Sequence, residues 1–223
     1  TGRQRLGTAL VAVAALTVGG GWHLSGSWTE ALARYAVAAP ASAALSAEAW
    51  RGGGWRSLPA RRIDLDGDTE AAMTVQWAGT PEALAAALAP AGWSAPPPLG
   101  LASSGRLLSG STAASDLPAL PLLHDGGAPV LTLALPASAD ARLVLRAWPS
   151  GATLGEGCPI LLAAVESETL RRPLGLLTLA DAEDAPAASG PLAATLPGTT
   201  VAEGPAGPVL LAGACGPAGP GAT

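Results

Sequence analysis

Apolar and polar side chains alternate in several short stretches of this chain, which is the pattern of β-strands with one buried face. In residues 142–148, for example, Leu143, Leu145 and Ala147 fall on one face, while Trp148 falls on the other with both arginines. This alternation, together with short apolar runs, predicts strands over residues 62–66, 73–77, 130–135, 143–148, 160–165, 174–179 and 208–212.

One helix is predicted together with both of its ends. Thr80 suits the N-cap, Pro81 the first turn and Gly92 a left-handed C-terminal residue, and Leu84 and Leu88 lie on one side between them. Weaker signals predict a short helix within residues 94–116, an acidic turn at residues 181–184 and a helix at residues 191–196. Strands outnumber helices and no βαβ rhythm is sustained, so we predict an α+β fold, a mainly antiparallel sheet with one or two packed helices.

The start of the chain has a different pattern. Residues 6–29 contain no Asp, Glu, Lys or Arg, and residues 6–24 are mostly Ala, Val and Leu. A membrane span needs roughly 20 apolar residues. We predict one N-terminal transmembrane helix; a signal peptide and a buried core helix are the alternatives. Arg3 and Arg5 precede the span, so the N-terminus is expected in the cytoplasm and the following domain outside.

The change in composition along the chain predicts four parts. Residues 1–26 form the transmembrane helix with its basic flank, and residues 27–47 a juxtamembrane helix and a linker rich in Ala, Pro and Ser. Residues 48–213 form the folded domain, and residues 214–223 a disordered tail rich in Gly and Pro. In a bacterium this arrangement anchors the chain in the inner membrane with the domain facing the periplasm, and residues 6–24 contact the lipid bilayer.

Charge and composition exclude some classes of function. The 223 residues carry a net charge of −5, and the arginines that supply all 12 basic side chains are spread along the chain. A nucleic-acid-binding protein normally has a basic stripe, so no nucleic acid is expected as a partner. The two His and two Cys are far apart in the sequence and lack the spacing of a zinc cage, and no cofactor motif is present.

The candidate chemistry is sparse. His124 and Asp125 could take part in acid–base catalysis, but the two glycines that follow them favour a turn. The acidic residues at 64, 66, 68 and 70 do not have the spacing of a calcium loop and favour a solvated turn. No nucleophile elbow or phosphate-binding loop occurs. The sequence therefore leaves open whether this protein is an enzyme.

Two further features concern single residues. Cys158 and Cys215 could form a disulfide in an oxidising compartment, or remain two thiols. A binding surface, if there is one, is predicted from polar or aromatic side chains on or beside strands, which need a partner or water. The alternative is that the tryptophans belong to the core and the polar groups satisfy loop backbone. The predicted residues are Gln76, Trp77, His124, Asp125, Arg146 and Trp148.

Four segments resemble one bacterial family, the LssY C-terminal domain. They are residues 74–79 followed by the helix from Pro81, residues 117–126, residues 142–148 and residues 174–179. Similar domains lie at the C-terminus of membrane proteins that also carry a DedA-type domain or a type 2 phosphatidic acid phosphatase domain. The resemblance covers about residues 50–212 and implies no catalytic residues. The phosphatase motifs themselves have no match here.

Three functions follow as hypotheses. The first is a non-catalytic accessory or binding domain outside the cytoplasm, serving lipid or envelope phosphate chemistry carried elsewhere in the parent protein, with a lipid or protein as partner. The second is a hydrolase that uses His124 with an acid and an unidentified nucleophile. The third is a secretion-linked scaffold that binds another protein.

Overall fold

The computed structural model describes residues 44–107, 109–155, 157–173, 177–213 and 215. The chain divides into two compact units, residues 1–37 and residues 38–223, and every described residue belongs to the second. The predicted transmembrane helix and juxtamembrane helix lie outside the described residues, as does the predicted tail apart from Cys215. Within the described part of the chain, no helix is long and apolar enough to cross a membrane.

The described part contains nine strands and four short α-helices. The strands are β1 (Ala44–Leu45), β2 (Arg61–Ile63), β3 (Thr69–Ala78), β4 (Leu131–Pro136), β5 (Ala141–Leu154), β6 (Cys158–Arg171), β7 (Leu179–Asp184), β8 (Thr200–Gly204) and β9 (Gly207–Gly213). The helices are α1 (Ala47–Arg51), α2 (Pro81–Leu88), α3 (Leu101–Leu107) and α4 (Ser189–Thr195).

All nine strands join one curled sheet around the long pair β5 and β6. Six strands follow the order β1-β5-β6-β3-β9-β8, in which neighbours are hydrogen-bonded. Of the other three, β4 pairs with β5, β7 with β6 and β2 with β3. The sheet is mixed, because β1 runs parallel to β5 and β9 parallel to β3. The other six of the eight pairings between the described strands are antiparallel, so most of the sheet is as predicted and the two parallel pairings are what the prediction missed. Alternation within a strand fixes which side chains share a face, but it carries no information on the direction of the neighbouring strand.

The two faces of this sheet differ in chemistry. The helix face is apolar, and α2 and α4 cover it with Leu84, Leu88 and Leu192. The opposite face, which we call the charged face, carries Trp148 and Leu162 together with buried Arg and Glu side chains. The strand residues on the helix face include Val75, Trp77, Leu133, Leu145, Ala147, Leu161, Ala163, Val165, Leu210 and Ala212. The predicted division of β5 between two faces is confirmed.

Strand β3 contains an irregularity that the alternation did not reveal. Its register against β6 shifts between Met73 and Val75, so that Met73 pairs with Ala164 and Val75 with Ala163. This β-bulge leaves Met73 on the charged face and moves Val75 to the helix face. Strict alternation along the predicted strand 73–77 would put both residues on one face, and the bulge is the reason that they lie on opposite faces.

The signals at the ends of α2 are confirmed. The Thr80 hydroxyl accepts a hydrogen bond from the Ala83 amide, Pro81 is the first helical residue, and Gly92 has a φ of 91°. A Cβ at Gly92 would also make a close contact, 3.2 Å, with the Leu135 side chain.

Three segments differ from the predictions. Residues 177 and 178, which we placed in a strand over residues 174–179, precede the strand that begins at Leu179. Residues 179–184 form strand β7 rather than an acidic turn, because they pair with the end of β6 and two of their acids meet arginines, Asp181 with Arg171 and Asp184 with Arg61. The sheet also includes Ala44–Leu45, a few residues before the predicted start of the folded domain at Glu48, which itself lies in α1.

Candidate functional site

An ion cluster lies on the charged face where β5 and β6 pair. Arg142 and Arg146 come from β5 and Glu166 and Glu168 from β6, and each residue is at most 7% exposed. Side chains two or four residues apart on a strand share a face, so the even numbers of both strands meet here. The Arg146 guanidinium donates to Glu166 and, at 2.8 Å, to Oε1 of Glu168, and Arg142 Nε donates to Oε2 of Glu168 at 2.8 Å. The four side chains therefore form one continuous network.

Arg142 also fixes the loop that covers the cluster. Its guanidinium donates to the backbone carbonyls of Ala114, Leu117 and Pro118. A planar guanidinium has five N–H donors in fixed directions, which suits it to holding several acceptors at once. The segment before the 124–127 turn is therefore tied directly to the sheet.

His124 and Gly127 close a two-residue turn. Each backbone amide of the pair donates to the other's carbonyl at 2.9 Å, and Asp125 and Gly126 between them have φ values of 48° and 74°. Positive φ at both central residues is the geometry of a type I′ turn, which Asp-Gly favours. The turn predicted from these residues is confirmed.

Strand β2 holds this turn in place. The Ile63 amide donates to Nδ1 of His124 at 3.1 Å, and the Asp125 amide donates to the Ile63 carbonyl at 3.0 Å. Beside them, Arg62 Nη1 donates to the Leu123 carbonyl at 2.8 Å. His124 is thereby buried, with its ring 6.0 Å from that of Trp148 in an edge-to-face arrangement.

The surroundings keep His124 neutral. Burial lowers the pKa of the imidazole, and Arg62 lowers it further, while Asp125 opposes the shift. Because Nδ1 accepts from a backbone amide, the single proton of the neutral ring lies on Nε2. In this state His124 is a hydrogen-bond donor at Nε2 and has no lone pair left to act as a base.

Burial is also the main influence on the pKa of the Glu166 carboxyl group. Its pKa is raised because burial disfavours the charged form more strongly than the nearby Arg146 and Arg62 favour it. Glu168 and Asp184 push in the same direction as burial. The ion cluster is thus costly to assemble, since desolvation outweighs its own ion pairs at this residue.

Three N–H donors around this cluster have no hydrogen-bond partner among the described residues. They are Arg62 Nε, Arg146 Nε and Trp148 Nε1, and each atom is buried. Two further unpartnered atoms, Thr74 Oγ1 in the β3 bulge and Arg172 Nε, lie outside the ion cluster. A buried donor without a partner costs roughly 1–3 kcal/mol, so a group of three on one face calls for an explanation.

The structure brings together half of the predicted binding residues. His124, Arg146 and Trp148 meet on the charged face, whereas Trp77 lies on the helix face and donates its indole N–H to the Thr80 carbonyl. Asp125 is exposed in the turn. As a binding surface, the six residues stay a prediction.

Gln76, the remaining residue of that set, joins the sheet to the segment before β2. Its Oε1 accepts from Trp50 Nε1 at 2.9 Å, and its Nε2 donates to the Trp55 carbonyl at 3.0 Å. Gln76 is 2% exposed, so these contacts give it a structural role.

Four residues of the site were not among the predicted ones. Arg62, Arg142, Glu166 and Glu168 are all buried on or beside the charged face. The signal that could have found them is the recurrence of charged side chains at alternate positions in two predicted strands, with arginines on one and glutamates at the end of the other.

Two other predicted features can be located. Cys158 and Cys215 are joined by a disulfide, with their Cα atoms 6.4 Å apart, which ties the chain two residues beyond β9 to the start of β6. Among the residues that the structure describes, no group of three or more His, Cys, Asp or Glu side chains could hold a metal ion. The acids at 64–68 instead form a turn in which Asp64 Oδ1 accepts from the amides of Asp66 and Asp68.

Comparison with known proteins gives one match. Residues 55–170, just over half of the chain, match the family described as LssY C-terminus. This range runs from before β2 to the end of β6, so it includes the ion cluster, the His124 turn and the three unpartnered donors. No curated protein and no solved structure matches the chain.

Proposed function

The chain belongs to the LssY C-terminus family, and we propose that its folded domain is a non-catalytic binding domain whose ligand enters the charged face. One observation carries this proposal: the buried ion cluster has three N–H donors beside it that lack partners in the described residues. An incompletely bonded buried network is less stable than an apolar core of the same size. A ligand that completes the network accounts for its presence.

The chemistry of His124 supports binding over catalysis. A hydrolase that used His124 as its base would need a free lone pair on the imidazole. Here Nδ1 accepts the Ile63 amide and Nε2 carries the proton, so the ring can offer only a donor. The hydrolase that we considered from the sequence is therefore the weaker hypothesis.

The setting of the domain is the second part of the proposal. We place it outside the cytoplasm, on a bacterial inner-membrane protein anchored by residues 6–24, where it serves lipid or envelope phosphate chemistry carried elsewhere in that protein. The joined Cys158 and Cys215 support an oxidising compartment. The apolar composition of residues 6–24 supports the anchor.

A turnover assay tests the non-catalytic role. The full chain is incubated with p-nitrophenyl phosphate and p-nitrophenyl acetate beside a His124→Ala variant. We expect both proteins to release p-nitrophenol at the same background rate. Turnover by the wild type that His124→Ala abolishes would overturn the proposal in favour of a hydrolase.

Reporter fusions at Pro59, which is exposed, test the location. Alkaline phosphatase fused there should be active and green fluorescent protein dark, because only the former folds in the periplasm. The opposite pair of results would place the domain in the cytoplasm.

A further inference from the structure

The charges buried on the charged face do not balance. Three guanidinium groups are buried there, those of Arg62, Arg142 and Arg146, with 7%, 1% and 1% of each residue exposed. Among the residues that the structure describes, two buried carboxylates, those of Glu166 and Glu168, face them. His124 adds no positive charge, because burial keeps it neutral. One buried guanidinium therefore has no buried carboxylate to balance it.

The carboxylates outside the ion cluster offset this excess only in part. Glu70 forms an ion pair with Arg62 at 3.7 Å, but this distance is beyond hydrogen-bond range and the Glu70 side chain is 47% exposed, so solvent screens the pair. Asp184 approaches the exposed Arg61 rather than Arg62. Arg62 is thus a buried guanidinium whose closest described hydrogen-bond partner is an uncharged carbonyl, that of Leu123.

The three unpartnered atoms also need a group that accepts hydrogen bonds. Arg Nε and Trp Nε1 can only donate hydrogen bonds, so each of the three needs an acceptor. Arg146 and Trp148 are two residues apart on the same face of β5. Arg62 reaches the same place from β2, since it donates to the carbonyl of Leu123, the neighbour of His124, whose ring contacts Trp148.

We propose that Arg62, Arg146 and Trp148 bind one small oxyanion, the phosphate or carboxylate group of a ligand. This inference rests on the proposed binding function and names the chemical class of its ligand. An oxyanion supplies both of the things that are missing, acceptor oxygens for the N–H groups and a negative charge for the extra guanidinium. A buried water molecule would supply the first but not the second. The near-complete burial of the three side chains favours a small anionic group over a bulky one.

The test uses the indole signals of the full chain in an NMR titration. The protein has seven tryptophans, and Trp148→Phe removes one indole N–H signal and so assigns it. Inorganic phosphate and sodium acetate are titrated at constant ionic strength, with sodium chloride as the reference salt. We expect one of the two oxyanions to shift the Trp148 signal to saturation, while chloride leaves it unmoved.

Variants then test the assigned donors. Trp148→Phe keeps an aromatic side chain but removes one donor to the anion, and its affinity is measured by isothermal titration calorimetry. A hydrogen bond to a charged group contributes enough that affinity should fall about tenfold. Arg62→Gln removes the excess charge and should weaken binding at least as much. The control is Trp93→Phe, a buried tryptophan on the helix face, which should bind like the wild type.

Each result decides the proposal. A Trp148 signal that neither oxyanion moves, or equal affinity in all the variants, would overturn it. Should Trp148→Phe fail to fold, the wild-type titration and Arg62→Gln still give the answer. Failure here is distinguishable from failure of the proposed function, because ester turnover dependent on His124 would overturn the non-catalytic role whatever the anion titration shows.

Discussion

Single side chains on the charged face hold together parts of the chain that are far apart in sequence. Arg142 bonds a glutamate on the neighbouring strand and three carbonyl groups of residues 114–118. His124 accepts the amide of Ile63, and Arg62 donates to Leu123. The loop that covers the sheet is therefore positioned by polar contacts. The strength of these contacts depends on the charge of each side chain that makes them.

The protonation of His124 gives a prediction at this scale. The ordinary pKa of histidine is about 6.5, and burial and Arg62 should hold the pKa of His124 below that value. The folded state then takes up the proton less readily than the unfolded state. The stability that this lowered pKa contributes is fully present above about pH 6.5, and it is lost as the pH falls towards the pKa of His124 in the folded protein.

An NMR titration of the two imidazoles measures this shift, with His23→Gln assigning the signals. Arg62→Gln should raise the pKa of His124, because it removes a nearby positive charge, and Asp125→Asn should lower it. A wild-type pKa at or above 6.5, or a fall in the pKa of His124 in Arg62→Gln, would contradict the electrostatic account.

At the scale of elements, hydrogen bonds join the segments before β2 to the sheet. Gln76 lies in β3 beyond the bulge, and it bridges Trp50 in α1 and the backbone of Trp55 in the one-turn helix Gly54–Ser57. Both tryptophans pack with residues of β5, β6 and β9. One amide side chain therefore links local segments to the sheet.

Replacing this amide should be costly. Gln76→Leu keeps the side chain's approximate size but leaves the Trp50 N–H and the Trp55 carbonyl buried without partners, so we expect the free energy of unfolding to fall by about 2–4 kcal/mol. Trp50→Phe removes one of the two partners. In urea denaturation, the double variant should therefore lose about 1 kcal/mol less than the sum of the single variants. Strict additivity would show that the bridge does not form.

The same elements show what could be predicted from the sequence. The faces of β5 follow from alternation, and the ends of α2 follow from Thr80, Pro81 and Gly92, because these signals are local. The β3 bulge could not be predicted, since one extra residue moves the following side chains to the other face of the sheet without any change in the residue types. The ion cluster also escaped prediction, because it depends on the register that sets Arg142 opposite Glu168.

At the scale of the whole described unit, one disulfide connects two distant parts of the sheet. The disulfide between Cys158 and Cys215 spans 57 positions and joins the chain after β9 to the first residue of β6. Between these ends lie the strand pairs of β7 with β6 and of β8 with β9. The link restricts the unfolded chain over that whole length, which is how a disulfide stabilises a fold.

Removing the link should lower stability without changing the fold. Reduction should lower the free energy of unfolding of the wild type by about 2–4 kcal/mol, measured by urea denaturation with and without a reductant. The control is a Cys158→Ser/Cys215→Ser double variant, whose stability the reductant should not change. An unchanged wild type under reducing conditions would mean that the two sulfurs are not joined in solution.

The central claim is that the charged face binds a ligand. A crystal structure of the protein tests it most directly, from crystals grown in the presence of phosphate and at a resolution that distinguishes an ion from water. The account predicts a tetrahedral anion within hydrogen-bond distance of Arg62 Nε, Arg146 Nε and Trp148 Nε1. Donation of these three atoms to protein carbonyls, or to water alone in saturating phosphate, would contradict it.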